Sequence, residues 1–280
     1  MMSRNDGITN LDVRSGAVLW YTPIKYKMMR HNLMQRLFLC LILALSAFVS
    51  SAARTMYVVS VGIADYQYIN DLSKAENDAR CFAELYRTHT THVRLLVGKE
   101  ATHDAILAAM RETYALATAD DVVVFFFSGH GTAGGLCPYD MRRDGNLLAY
   151  SEMMAVLRSC RAGSKQLFVD ACFAGGLRVK SHTTAQSTFS NSEGVMLFLS
   201  SRNNEPSREN ARAANGYFTQ HLIRGLKGGA DADADRIVEA RELFDFVSTR
   251  VAKDTRDRQH PVMWGKFNDD MRVMSWRKAQ

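Results

Sequence analysis

Two apolar runs, each followed within a few residues by glycine, constrain this chain more than anything else in it. The first is Asp121-Val-Val-Val-Phe-Phe-Phe-Ser-Gly-His-Gly-Thr132 and the second is Lys165-Gln-Leu-Phe-Val-Asp-Ala-Cys-Phe-Ala-Gly-Gly-Leu177. Short, strongly apolar runs bounded by turn residues suit strands buried on both faces. An open α/β sheet keeps its chemistry at the carboxyl ends of such strands. His130 and Cys172 each stand at such an end, His130 between Gly129 and Gly131, and Cys172 shortly before the break at Gly175-Gly176. A thiol nucleophile and the base that activates it require this kind of placement.

The rest of the chain supplies the sheet around these two strands. Met56–Ile63 reads as the first strand, His92–Val97 as the second, Asp121–Ser128 as the third and Gln166–Asp170 as the fourth. Between them fall a helix over Lys74–Thr88 capped by Ser73, and a helix from Thr102 to about Ala117. The second helix carries Ile106, Leu107, Met110, Tyr114 and Leu116 on its apolar face. A glycine-rich polar loop runs to Asn146, and Ser151–Arg161 is read as a helix. Arg178–Glu193 is rich in Ser and Thr without apolar period and reads as a mobile surface loop. Val195–Ser200 resumes the sheet, Gly216–Leu226 and Val238–Val251 read as helices, and Pro261–Phe267 as the last strand. Alternation of strand and helix predicts an α/β three-layer sandwich, a mostly parallel six-stranded sheet with helices on both faces. The hydrophobic content of 47% is ample for that core.

Charge and cysteine usage narrow the functional classes. The net charge of +6 invites a nucleic-acid reading, but residues 1–53 hold six Lys/Arg (Arg4, Arg14, Lys25, Lys27, Arg30, Arg36) against Asp6 and Asp12. The excess is thus mostly a property of the leader, and the remaining basic residues are dispersed, which argues against nucleic acid as a partner. Arg30, His31 and Arg36 precede the apolar run 37–49 and then Ser51-Ala52-Ala53. This is the form of a secretory signal peptide, with cleavage expected after Ala53 and a secreted or periplasmic mature protein. The run is short for a membrane span. Residues 1–27 are unusual in front of such a signal, and Met28, Met29 and Met34 offer alternative starts. Besides Cys172, the chain beyond the leader holds Cys81, Cys137 and Cys160, whose spacing sets no disulfide framework and no zinc site.

Ser128-Gly-His-Gly131 followed by Asp170-Ala-Cys-Phe-Ala-Gly175, 42 residues from His to Cys, resembles the His and Cys motifs of the caspase superfamily, in the version of the metacaspases and their bacterial caspase-like relatives. The resemblance runs from about Met56 to Phe267 and includes Leu72–Ala79, Gly216-Tyr-Phe-Thr219 and Pro261. It implies a peptidase domain over 54–280, with a large-subunit-like part to about 177, the loop 178–193 and a small-subunit-like part from 194. It implies a cysteine endopeptidase working through a thioester, with Cys172 as nucleophile, His130 as base, and the backbone N–H groups of Gly131 and Cys172 as the oxyanion site. By the same resemblance Asp170 and Asp78 face the side chain before the scissile bond, with Ser128 lining the same pocket. Two carboxylates in one pocket call for a cation, so peptide or protein substrates with Arg or Lys at that position are expected. The chain departs from common family patterns at Ala75, Phe173 and Ala174. Arg178 and Lys180 in the loop after the Cys are candidate self-cleavage points.

The chemistry itself calls for no cofactor. Calcium is an expected activator for some metacaspase-like enzymes, and Asp140 and Asp144 lie in a suitable loop. Asp231, Asp233 and Asp235 with Glu242 match the first, third, fifth and twelfth positions of a calcium loop, but Arg236 stands where that loop needs glycine, which favours a polar loop capping the following helix. Two alternatives stay open. One is another thiol hydrolase of the same clan, gingipain-like or legumain-like; the other is an inactive caspase-fold protein that binds peptides without cutting. Retention of both His130 and Cys172 counts against the second.

Overall fold

The structure, a computed structural model, describes residues 54–132, 134–142, 145–172, 184–202, 205, 207 and 213–276, and for Cys172 the backbone. The leader with its cleavage point, Asp144, Arg178 and Lys180 lie outside the described residues.

β1 (Met56–Gly62), β2 (Val93–Val97), β3 (Val122–Thr132), β6 (Ser164–Cys172) and β7 (Val195–Leu199) form the parallel body of one sheet in the order β2-β1-β3-β6-β7. β9 (Val262–Gly265) adds to β7 in antiparallel sense and completes the six-stranded path. Every residue of β7 and all of β3 except His130 is buried, which is why these strands read as continuous apolar runs and not as alternating ones.

Two helical layers cover the sheet. On one face α2 (His103–Tyr114), α3 (Tyr150–Ser159) and α4 (Ala185–Phe189) pack on Val59, Val61, Phe125, Phe127, Leu167 and Leu197. On the other, α1 (Ala75–Arg87), α5 (Tyr217–Arg224) and α6 (Ala240–Asp254) pack on Val58, Val124, Phe126, Phe168 and Phe198. The second layer is seamed by aromatic contacts: Phe82 stacks on Phe126 with ring centroids 4.3 Å apart, and Phe198 meets Phe218 edge-on at 5.0 Å.

Several boundaries differ from the sequence reading, each for a local reason. α1 begins at Ala75 with Lys74 in the capping position, one residue later than a Ser73 cap would set it. Leu116 lies past the end of α2 and is 58% exposed, so it is no part of the apolar face. The stretch read as a plain loop to Asn146 contains β4 (Gly135–Leu136), which pairs in antiparallel sense with the end of β3 and with β5 (Leu148–Ala149) just past that stretch. The Ser/Thr stretch before β7 is not loop throughout. Thr184 and Ser187 cap each other's backbone N–H groups at the start of α4, and the fully buried Phe189 anchors that helix against Tyr150. Helix α6 starts at Ala240, because Ile237–Glu239 is instead a strand, β8, paired with β10 (Arg272–Ser275). Ile223 is only partly buried on α5.

Candidate active site

The site grows from the register of the two central strands. β3 and β6 pair in parallel from Val122↔Ser164 upward, which places Ser128 opposite Asp170 and His130 opposite Cys172. Residues remote in sequence thus share two successive same-side rungs at the carboxyl edge of the sheet, in strands about 4.8 Å apart.

His130 is held by the β1–α1 loop. Its backbone N–H donates to the Tyr66 hydroxyl at 2.7 Å, and the two rings lie 5.0 Å apart. Its Nε2 lies 2.8 Å from the Asn70 carbonyl oxygen. A carbonyl only accepts, so Nε2 carries the hydrogen in that contact and Nδ1 of the neutral ring keeps a lone pair for a proton. The loop is itself closed by Leu72 N–H donating to Ala64 O at 2.8 Å and Tyr66 N–H donating to Asp71 Oδ1 at 2.9 Å. Gly129 makes the close approach feasible: a Cβ there would sit 2.5 Å from the Tyr66 hydroxyl.

One layer deeper lies a pair of buried carboxylates. Asp78 sits on the first turns of α1, 2% exposed, and Asp170 on β6, 6% exposed. Gly62 lets α1 come this close, since a Cβ there would stand 2.4 Å from the Ala75 carbonyl oxygen. Asp78 accepts from Ser128 Oγ at 3.0 Å, from Asn215 Nδ2 at 2.8 Å and from Gly216 N–H at 3.2 Å. Asp170 accepts from Thr219 Oγ1 at 2.7 Å, from Thr219 N–H at 3.3 Å and from the Ser207 hydroxyl. Burial, reinforced by the negative charge of Asp170, pushes the Asp78 carboxyl up to about 8. Burial likewise raises Asp170, against the opposing pull of its hydroxyl donors. A pair of this kind favours a cation or a shared proton between its members.

The remaining candidates fall elsewhere. Asp140 receives the His103 N–H at the start of α2 and the Asn146 side-chain amide. Asp231, Asp233 and Asp235 bring one carboxylate oxygen each within 4.8 Å of the others. Their loop is braced by its own amides, Arg236 N–H on Asp231 and Ile237 N–H on Asp235, while Glu242 takes the N–H groups of Ala232 and Glu239. Arg236 holds a left-handed backbone, φ 71°, where glycine is the ordinary choice. These contacts build the polar cap of α6. Cys81, Cys137 and Cys160 are free thiols.

Tyr66, Asn70, Ser207, Asn215 and Thr219 carry no expected role in the sequence: Thr219 belongs to the Gly216-Tyr-Phe-Thr219 segment, and the others sit in loops whose route only the fold discloses.

Comparison with known proteins agrees with this architecture. The family model for the caspase domain matches residues 55–271. The chain belongs to the caspase-domain family. That family places it among caspase-superfamily proteins of cysteine-peptidase type. A crystal structure of a Geobacter sulfurreducens protein, GSU0716, superposes on the caspase domain with a TM-score of 0.60. Identity is 16%, with 79% of this chain and 97% of that chain covered, so the likeness speaks for the fold alone. No curated protein matches the chain.

Proposed function

We propose that this caspase domain is a metacaspase-like cysteine endopeptidase that cleaves after Arg or Lys, with Cys172 as nucleophile and His130 as its base. The observation that carries the reading is the rung His130↔Cys172 directly above the buried Asp78 and Asp170. A thiol near its free pKa is only a few per cent thiolate at neutral pH, so it needs a proton acceptor in reach. The Nδ1 lone pair left by the Asn70 contact supplies one. Attack of the sulfur on the peptide carbonyl makes the S–C bond and moves charge to oxygen, where the backbone N–H groups of Gly131 and Cys172 would receive it. Collapse expels the amine, which takes the proton from the imidazolium, and water then hydrolyses the thioester with His130 again as base.

Substrate choice follows from charge. An arginine or lysine side chain entering beside Asp78 and Asp170 ionises both carboxyls and converts their repulsion into two attractions, whereas an aspartate would add a third negative group. A panel of fluorogenic peptides differing only before the scissile bond tests this. Arg and Lys substrates are expected to be turned over at least a hundredfold more efficiently than the Asp substrate. Equal turnover, or preference for Asp or Asn, would overturn the specificity and favour another thiol hydrolase of the clan.

Self-cleavage belongs to the same proposal, at Arg178 or Lys180. Purified protein is expected to be clipped between Cys172 and Thr184 over hours, and Cys172→Ala to stay intact under the same conditions. Mass spectrometry of the fragments reads the result, and equal clipping of the two proteins would remove self-processing from the account.

A further inference from the structure

The loop from β7 to α5 reaches the acidic pair at two ends, with Ser207 on Asp170 and Asn215 on Asp78. What holds it there comes from elsewhere, two consecutive residues just before β9. His260 grips the loop at Glu205: its backbone N–H donates to Oε2 at 2.8 Å, and its ring Nδ1 lies 2.9 Å from Oε1. Gln259 is wholly buried. Its amide donates to the Ser200 carbonyl oxygen at 2.9 Å, which closes β7, and to the Ser207 hydroxyl oxygen at 3.3 Å.

The direction of these bonds matters. An amide nitrogen can only donate, so the Ser207 oxygen accepts from Gln259 and its single hydrogen is turned toward Asp170. Hydrogen bonds that converge on a charged group are worth more than neutral ones, and a donor fixed in advance loses less entropy in making them. Gln259 hydrogen-bonds the serine that holds Asp170. It acts on the carboxylate through the serine, and the neighbouring histidine fixes the loop that carries that serine.

Resting on the basic specificity argued above, we infer that Gln259 is a positioning residue for recognition of the substrate's basic side chain, acting through Ser207 on the carboxylate of Asp170, with His260 holding the same loop through Glu205.

The experiment is a double-mutant cycle on the full chain. Gln259→Leu keeps the volume and removes the donor; Ser207→Ala removes the link. Each is expected to raise KM for an arginyl peptide about tenfold with kcat within twofold of wild type. The double variant is expected to be no worse than Ser207→Ala alone, because the two residues act in series. The rate of Cys172 alkylation by iodoacetamide, which needs no basic pocket, is expected to be unchanged in all four proteins. Additive effects, or a fall in kcat together with the alkylation rate, would overturn the inference and leave Gln259 a packing residue. Should Gln259→Leu fail to fold, Ser207→Ala and Gln259→Glu replace it in the cycle. The glutamate accepts where glutamine donates and turns the Ser207 hydrogen away from Asp170, so the same rise in KM is expected; an unchanged KM in both would overturn the inference. A wild-type protein that alkylates normally but shows no basic preference would instead bring down the specificity reading, and this inference with it.

Discussion

His130→Ala is expected to lower kcat for an arginyl peptide by about a thousandfold, with KM changed by no more than a fewfold. Positioned proton transfer contributes roughly 10² to 10⁴ in rate, and loss of the base leaves the thiol largely protonated at neutral pH. The fold has little stake in this side chain. His130 is partly exposed at the end of β3, and among the described residues its ring makes one hydrogen bond, to the Asn70 carbonyl oxygen. The thermal midpoint is therefore expected to stay within a few degrees of wild type, which separates a chemical effect from unfolding. Steady-state kinetics and a thermal melt on the same preparation check both halves. Retention of more than a tenth of wild-type kcat would remove His130 as the base and leave the rung with Cys172 without the meaning given to it here.

Asp170→Asn is expected to raise KM for arginyl and lysyl peptides by 10² to 10³ while leaving alkylation of Cys172 by a small neutral reagent unaltered. Truncating one member of a buried charge pair costs about 2–5 kcal/mol, and about 1.4 kcal/mol corresponds to a factor of ten. The same substitution carries a stability signature. Asp78 and Asp170 are both raised above their unfolded values by burial, Asp78 to about 8. A carboxyl raised in this way keeps its proton in the folded state after the unfolded chain has lost it. The stability associated with that proton is full below about pH 4 and is lost as pH rises toward 8. Asp170→Asn removes one ionisable member and relieves the other, so the variant is expected to gain on wild type as pH rises from 5 to 8. Denaturant midpoints at the two pH values read the difference. A variant destabilised equally at both would show the pair to be a neutral hydrogen-bonded cluster.

The parts of this molecule that were legible in the sequence are those where one physical signal dominates. β3 and β6 declared themselves because burial of their central residues leaves an apolar run, and Gly129 and Gly131 around His130, with Gly175-Gly176 after Cys172, marked where those runs stop. Thr102 gave away the start of α2 because its hydroxyl has no better use than the Ala105 N–H. The hidden parts were those where two signals compete. Thr184 and Ser187 looked like loop chemistry because the residues that cap a short helix are the same ones that populate loops. Val238 and Glu239 read as part of the following helix because β8 is three residues long and acquires its partner, β10, from beyond β9. Within the site, Asp78 and Asp170 could be nominated by motif, but the hydrogen bonds they accept come from β3, from α5 and from the loop between β7 and α5. No local pattern announces such a convergence.

The seam between β6 and β7 has a further consequence. Five consecutive pairs, Lys165↔Val195 to Val169↔Leu199, join strands that are separated along the backbone by the whole stretch around residues 173–194. Phe168 and Phe198 add an aromatic contact across it, with ring centroids 6.5 Å apart. Severing the polypeptide within that stretch would thus yield a heterodimer in miniature, two fragments sharing one sheet and held by the same ladder that joined them before the cut.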